Sequence, residues 1–374
     1  MFIVEHGDLE TLISALKKRG YTTIGPVVRD SAILYDEISG AADLPRGQHD
    51  EQQPANYRLK DEKDTAYFGH TVGPHSWKKF LFPSMLRIAA ARRNGKGFAM
   101  MPPEKDGGEK FAFIGVRPCD LAALLITDKI FTQGPYPDPH YKALRAEAFV
   151  VAVNCSQAGG TCFCTSMNTG PKAAAGYDLA LTELVNGSEH SFLVEEGSAR
   201  GSELMKSVPH RQATAGDQET AGRVIENTVK QVAKTLETAE LKANLEKHFD
   251  HPQWDEVAKR CLSCTNCTMV CPTCFCTSIE DVTDLAGTEA ERIRKWDSCF
   301  TLEFSYLHGG SVRVSGKSRY RQWMMHKLAR WVDQFGMFGC VGCGRCITWC
   351  PVGIDITEEA RIIQNHTLHE HANI

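Results

Sequence analysis

Apolar residues recur at helical spacing at Leu9, Leu12, Ile13 and Leu16, and the run closes in Lys17, Lys18, Arg19 and Gly20. This spacing predicts a short amphipathic helix with Asp8 as its cap. Extended segments follow from Tyr21 to Tyr35. Residues 41–65 are polar and aperiodic, the pattern of a long surface loop or of an arm lying on another subunit. Phe111–Val116 and Ala148–Val153 are short continuous apolar runs, read as buried strands, and Asp120 is placed to cap a helix over 121–130. Residues 179–184 and 191–194 flank Asn186-Gly187 and predict a hairpin. Together these elements give an α/β (α+β) domain over residues 1–216.

Residues 217–250 are rich in Glu, Lys, Ala and Leu and read as a helical linker. The remainder, 251–374, reads as a mainly α-helical, dicluster ferredoxin-like domain. Within it Tyr320, Trp323, Met324, Leu328, Trp331 and Phe335 share a helical stripe over 317–335, and Gly336 is its natural stop.

Composition narrows the class. The chain has 374 residues, 42% of them apolar, enough for a sizeable core in more than one domain. A formal charge of −4 gives no general attraction to nucleic acid or an anionic membrane. The first ten residues carry Glu5, Asp8 and Glu10 and no secretory pattern, so a cytoplasmic protein is expected. The apolar runs fall far short of the roughly 20 residues that a membrane-spanning helix needs, so no membrane span is expected. Fifteen cysteines, an odd number without an export signal, point to metal-binding thiolates rather than a disulfide framework.

Two segments carry that chemistry. Cys261-Leu-Ser-Cys264-Thr-Asn-Cys267-Thr-Met-Val-Cys271-Pro272 and Cys340-Val-Gly-Cys343-Gly-Arg-Cys346-Ile-Thr-Trp-Cys350-Pro351 share the spacing C-x-x-C-x-x-C-x-x-x-C-P. In this motif three thiolates wrap one cubane while the fourth reaches the cluster of the other motif. The expected ligands are therefore Cys261, Cys264, Cys267 and Cys350 for one [4Fe-4S] cluster, and Cys340, Cys343, Cys346 and Cys271 for a second. Zinc needs only four ligands in pairs, and covalent haem needs a His directly after C-x-x-C, where Thr265 and Gly344 stand. No acid, base or nucleophile is arranged for bond-making, so the expectation is a relay of single electrons without a substrate-converting site.

A looser group lies earlier. Cys119 and Cys155 are expected at carboxyl ends of strands, where ligands gather in open α/β sheets, and Cys162 and Cys164 sit in a Gly-rich loop able to return to that edge. These four are candidates for a third [4Fe-4S] cluster, with zinc or unligated structural thiols as alternatives. Cys274, Cys276 and Cys299 remain unassigned, with packing as small buried thiols the plainer reading. No dinucleotide or triphosphate motif occurs, so NAD(P), if used, binds elsewhere. The basic run Arg313, Lys317, Arg319, Arg321, Lys327 and Arg330 is read as a solvated or subunit-docking helix face and not as a nucleic-acid site.

Taken together, Arg117-Pro-Cys-Asp, Cys162-Phe-Cys-Thr-Ser-Met, the first quartet with Cys271-Pro-Thr-Cys-Phe-Cys, Trp296-Asp-Ser-Cys-Phe, His308-Gly-Gly-Ser-Val-Arg and the segment Cys340 to Asp355 resemble the sulfhydrogenase beta subunit family. The A-type subunit of the related anaerobic sulfite reductase is similar. The matching segments run from Arg117 to about Asp355. The resemblance implies an iron–sulfur electron-transfer subunit of a cytoplasmic NAD(P)-linked [NiFe] hydrogenase, with FAD, NAD(P) and the catalytic metal on partner subunits. Delivery of electrons to a sulfite or sulfur reductase is the alternative within redox enzymes. An iron–sulfur redox sensor is the alternative outside them.

Overall fold

The computed structural model describes residues 1–62, 64–101, 109–187 and 189–371. Eight strands form the main sheet in the order 211–212, 2–5, 189–196, 179–186, 149–153, 111–116, 22–29, 32–37. The central pairings 179–186 with 149–153, 149–153 with 111–116 and 111–116 with 22–29 are parallel. The outer pairings are antiparallel, including the expected hairpin of 179–186 with 189–196. Every residue of Phe111–Val116 and Phe149–Val153 is buried, as strands covered on both faces must be. That burial explains why both segments read as unbroken apolar runs.

The first helix, Leu9–Lys18, buries the predicted stripe of Leu9, Leu12, Ile13 and Leu16. Asp8 stands at its N-cap position but makes no capping hydrogen bond. Asp120 is not a cap either. Its helix runs Pro118–Thr132, one turn earlier than expected, with Arg117 at the N-cap and Pro118 in the first turn. Proline is suited to that position because its fixed φ is already helical and its missing N–H has no helical partner there.

Residues 41–65 are not a plain loop. They contain a hairpin, Gln48–Gln53 with Asn56–Asp61, whose inward positions are polar. Asp50 accepts from the amide and hydroxyl of Thr71 at 2.6 and 2.8 Å, and Gln52 donates to the carbonyl of Val72 at 2.8 Å. The alternation is genuine, but hydrogen-bonding residues occupy the buried side, so a hydrophobic pattern cannot display it.

The helical expectation for 217–250 resolves into two helices, Ala215–Gln231 and Leu241–Lys247, with non-helical chain between them. The region 251–374 is also less helical than expected. A hairpin, Thr277–Thr283 with Glu289–Trp296, pairs with Met85–Asn94 and so completes a four-stranded sheet begun near Gly97–Met101. Its cross-strand neighbours include ion pairs such as Arg87 with Glu291 and Arg92 with Glu289, so the strands carry little apolar contrast.

The remaining core of this region is helical. Trp254, Val257, Phe300, Tyr320, Trp323, Met324, Leu328, Ile347 and Ile363 pack together with Phe163, which comes from the earlier part of the chain. The helix expected over 317–335 begins at Gly316, widens into a π turn at His326–Arg330, resumes at Trp331–Phe335 and ends at Gly336, whose φ is +70°. Its basic side chains are not a free face. Lys317 pairs with Asp255, Arg321 with Asp250 and Arg330 with Glu246, Arg319 donates to the carbonyl of Phe300, and Lys327 is buried.

Candidate functional site

The sheet positions the early thiols. Strand 111–116 hands the chain to the helix that carries Cys119, and strand 149–153 ends just before Cys155, so both lie at carboxyl ends of neighbouring parallel strands. The loop after Cys155 folds back, and Cys119, Cys155, Cys162 and Cys164 line one cavity. The side chain of Arg117 is buried beside it and donates to the carbonyls of Phe68 and His70 at 2.8 and 2.5 Å. Burial pushes all four thiols above their ordinary range, Cys164 to about 12. Four negative thiolates in so dry a place need a cationic partner.

A second cavity is lined by Cys261, Cys264, Cys267 and Cys350 together with Phe300, Tyr320 and Trp323. Cys350, from the other motif, thus lines the same cavity as the three thiols of the first. Cys264 is exposed, so this cavity reaches the surface. Cys346 lines it too, and the charges of Cys340, Cys343 and Cys271 act on Cys346 from nearby. Burial raises Cys340 to about 12. The Nζ of Lys327 lies 3.1 Å from the Sγ of Cys271, 3.0 Å from the hydroxyl of Thr273 and 3.1 Å from the carbonyl of Gly339. The π turn bearing Lys327 thereby places a buried cation against a thiol quartet.

The groups form a row. The thiol of Cys162 points at the carbonyl of Cys343 at 4.0 Å, and Cys119, Cys164 and Cys343 pack in one buried cluster. Backbone contact holds the row together. Phe163 donates to the carbonyl of Gly342 at 2.8 Å. Gly342 and Gly344, at φ +64° and +77°, approach so closely that a Cβ would lie 2.6 Å from the oxygen of Phe163 and 2.4 Å from that of Thr161. Arg345, between two motif thiols, reaches the early domain: it donates to both carboxylate oxygens of Asp120 at 2.6 and 2.8 Å and to the carbonyls of Gly73 and His75. Among the described residues no three His, Cys, Asp or Glu side chains converge as the ligands of a single metal ion do. The thiols are instead spread around cavities.

Sequence reasoning did not find the buried charges Arg117, Lys327 and Arg345 as members of these sites. Arg117 and Arg345 lie inside the motifs themselves, Arg345 next to Cys346 and Arg117 two positions before Cys119, and that closeness was the available signal. Lys327 was hidden in an apparently amphipathic helix. Cys274, Cys276 and Cys299 lie near Lys327 but outside the three groups.

The 4Fe-4S dicluster domain family matches residues 260–354. With the twin motifs lining adjoining sites, this marks the molecule as an iron–sulfur protein of the electron-transfer class. Sulfhydrogenase 2 subunit beta of Pyrococcus furiosus is 36% identical over 255 residues, spanning 67% of this chain and 73% of that protein. The chain belongs to the sulfhydrogenase beta subunit family. No solved structure matches it. Among the described residues no helix is long and apolar enough to cross a membrane.

Proposed function

We propose that this chain relays single electrons between a flavin subunit carrying FAD and NAD(P) and a [NiFe] catalytic subunit of a cytoplasmic hydrogenase complex, in the manner that its family membership suggests. The ligand sets are Cys261, Cys264, Cys267 with Cys350; Cys340, Cys343, Cys346 with Cys271; and Cys119, Cys155, Cys162 with Cys164. Bound [4Fe-4S] clusters supply reversible one-electron storage at each station. The observation that supports the reading best is the row: an exposed thiol at Cys264, a shared wall at Cys346, and direct contact of Cys343 with the early quartet. The protein's own contribution is to hold these thiols apart in dry cavities and to set buried cations, Lys327 and Arg117, beside two of the sets. Such cations favour the more negative, reduced state of a nearby centre.

The test is iron and acid-labile sulfide content of the anaerobically purified protein. Three four-iron sites predict about twelve irons per chain. Cys162→Ser with Cys164→Ser should lower this by about four; unchanged iron removes the third site from the proposal, and zinc in place of iron overturns it entirely. Co-purification with nickel and flavin supports the hydrogenase assignment, whereas siroheme with flavin replaces it with a sulfite reductase.

A further inference from the structure

Two buried ammonium groups meet on one short stretch of chain. Lys327 donates to the sulfur of Cys271 at 3.1 Å, to the hydroxyl oxygen of Thr273 at 3.0 Å and to the carbonyl of Gly339 at 3.1 Å. The single proton of that hydroxyl also goes to Gly339, at 2.7 Å, so the oxygen of Thr273 faces Lys327 as an acceptor. Lys78 opens the short helix Lys78–Leu81 and donates to the carbonyls of Cys274 and Cys271 at 2.7 and 3.2 Å. The indole of Trp296 closes over it at 4.0 Å, fixed by its amide and ring N–H, which donate to the carbonyls of Ser84 and Phe82. A nitrogen met by carbonyls and an aromatic face is held as the cation. Both lysines are 5% exposed, and among the described residues neither pairs with a carboxylate. The other sites differ. Among the described residues that line the cavity of Cys261, Cys264, Cys267 and Cys350, none is a lysine, arginine, aspartate or glutamate. Beside the early quartet, Arg117 directs its bonds to the carbonyls of Phe68, His70 and Asn154, and the charge of Arg345 is met by Asp120.

We propose that Lys327 and Lys78 make the second set, Cys340, Cys343, Cys346 with Cys271, the most easily reduced station of the row. A cubane held by four thiolates gains one negative charge with each electron it takes up, and no bond is made or broken. An uncompensated cation in a buried place of low dielectric, little screened by salt, favours that added charge. Its influence is strongest at the sulfur that Lys327 touches and falls off with distance towards the neighbouring stations. Electrons that enter from either end therefore collect in the middle of the row before they move on. Lys327 also ties together the two halves of this set, since Cys271 belongs to the first motif and Gly339 directly precedes Cys340 of the second. It is a positioning residue that acts through a thiolate, as Lys78 acts through the backbone on either side of Thr273.

This inference deepens the electron-relay reading and rests on it. Its test is an anaerobic redox titration of the purified, iron-containing full chain, with the stations followed as separate steps by electron paramagnetic resonance. Lys327→Met should lower the highest step alone and cut its reduced-to-oxidised ratio at a fixed potential by about tenfold or more, a tenfold change being about 59 mV for a one-electron couple. Lys327→Arg should keep that step near its wild-type place, and Lys78→Met should lower the same step. Where Lys327→Met takes up no iron, Cys264→Ser, at the exposed rim of the first set, assigns the steps instead and should leave the highest one in place. Coincident steps in the wild type, an unmoved highest step in iron-loaded Lys327→Met or Lys78→Met, a lower step that moves in its place, a fall as large with Lys327→Arg, or loss of the highest step in Cys264→Ser would overturn the proposal. Iron content tests the relay separately: a chain without iron removes the relay, whereas an iron-loaded chain with another order of potentials removes this inference alone.

Discussion

Removing the negative partner of Arg345 should destabilise the protein far more than an ordinary surface change. Arg345 and Asp120 are both essentially without solvent exposure, 0% and 1% of their side chains, and their bidentate contact is the buried ionic bridge between the second motif and the helix of Cys119. The hydroxyl of Tyr35 also donates to Asp120 at 3.1 Å. Asp120→Asn keeps the shape but leaves the guanidinium buried without a counter-charge, a situation that costs about 3–5 kcal/mol. Arg345→Met removes the cation and strands the carboxylate, at a similar cost. The double variant loses the bonds to Gly73 and His75 but buries no lone charge, so its cost should fall short of the sum of the singles by about 1–3 kcal/mol. The assay is anaerobic urea unfolding followed by tryptophan fluorescence, read as a double-mutant cycle. Additivity to within about 0.5 kcal/mol would show that the two charges do not act as a pair and would refute the reasoning.

Further outcomes follow from neighbouring features. Gly344→Ala places a Cβ 2.4 Å from a backbone oxygen, whereas Gly336→Ala meets nothing within 4 Å at a similar positive φ; thermal melts should show about 1–2 kcal/mol of left-handed backbone strain for the second and a distinctly larger loss for the first. Phe163→Ala empties a fully buried position in the late core and should cost about 3–5 kcal/mol in the same melts, with loosened contact to the Gly342 loop. Burial lowers His326 from its usual range to about 4, so the folded state binds fewer protons than the unfolded chain between pH 6.5 and about 4. The stability tied to this group is complete above about pH 6.5 and is lost as pH falls towards 4; His326→Gln should flatten that part of the stability–pH curve, and an unchanged slope would contradict the burial account.

What the sequence made legible was whatever local spacing encodes. The twin quartets announced themselves because cubane geometry demands a fixed thiol spacing, and the strands at 111–116 and 149–153 because double-sided burial admits only apolar residues. Even the early quartet was traceable, since strand ends told where Cys119 and Cys155 emerge. Interactions between distant residues were not. Asp120 looked like a cap because Asp commonly caps, yet its carboxylate serves Arg345, 225 positions away. The hairpins at 48–61 and 277–296 escaped because their alternation is polar against polar or charged against charged. Lys327 read as solvated because helical periodicity says nothing of a π turn that swings one position inward.

The close seating of Gly342 and Gly344 on the backbone of Thr161 and Phe163 also constrains how the molecule can be built. A ferredoxin-like module is ordinarily imagined as a cassette, portable between hosts. Here the cassette's second half is moulded on a loop made about 180 positions earlier in synthesis. Excised on its own, the segment would lack one wall of its mould, so iron loading should await release of nearly the whole polypeptide from the ribosome.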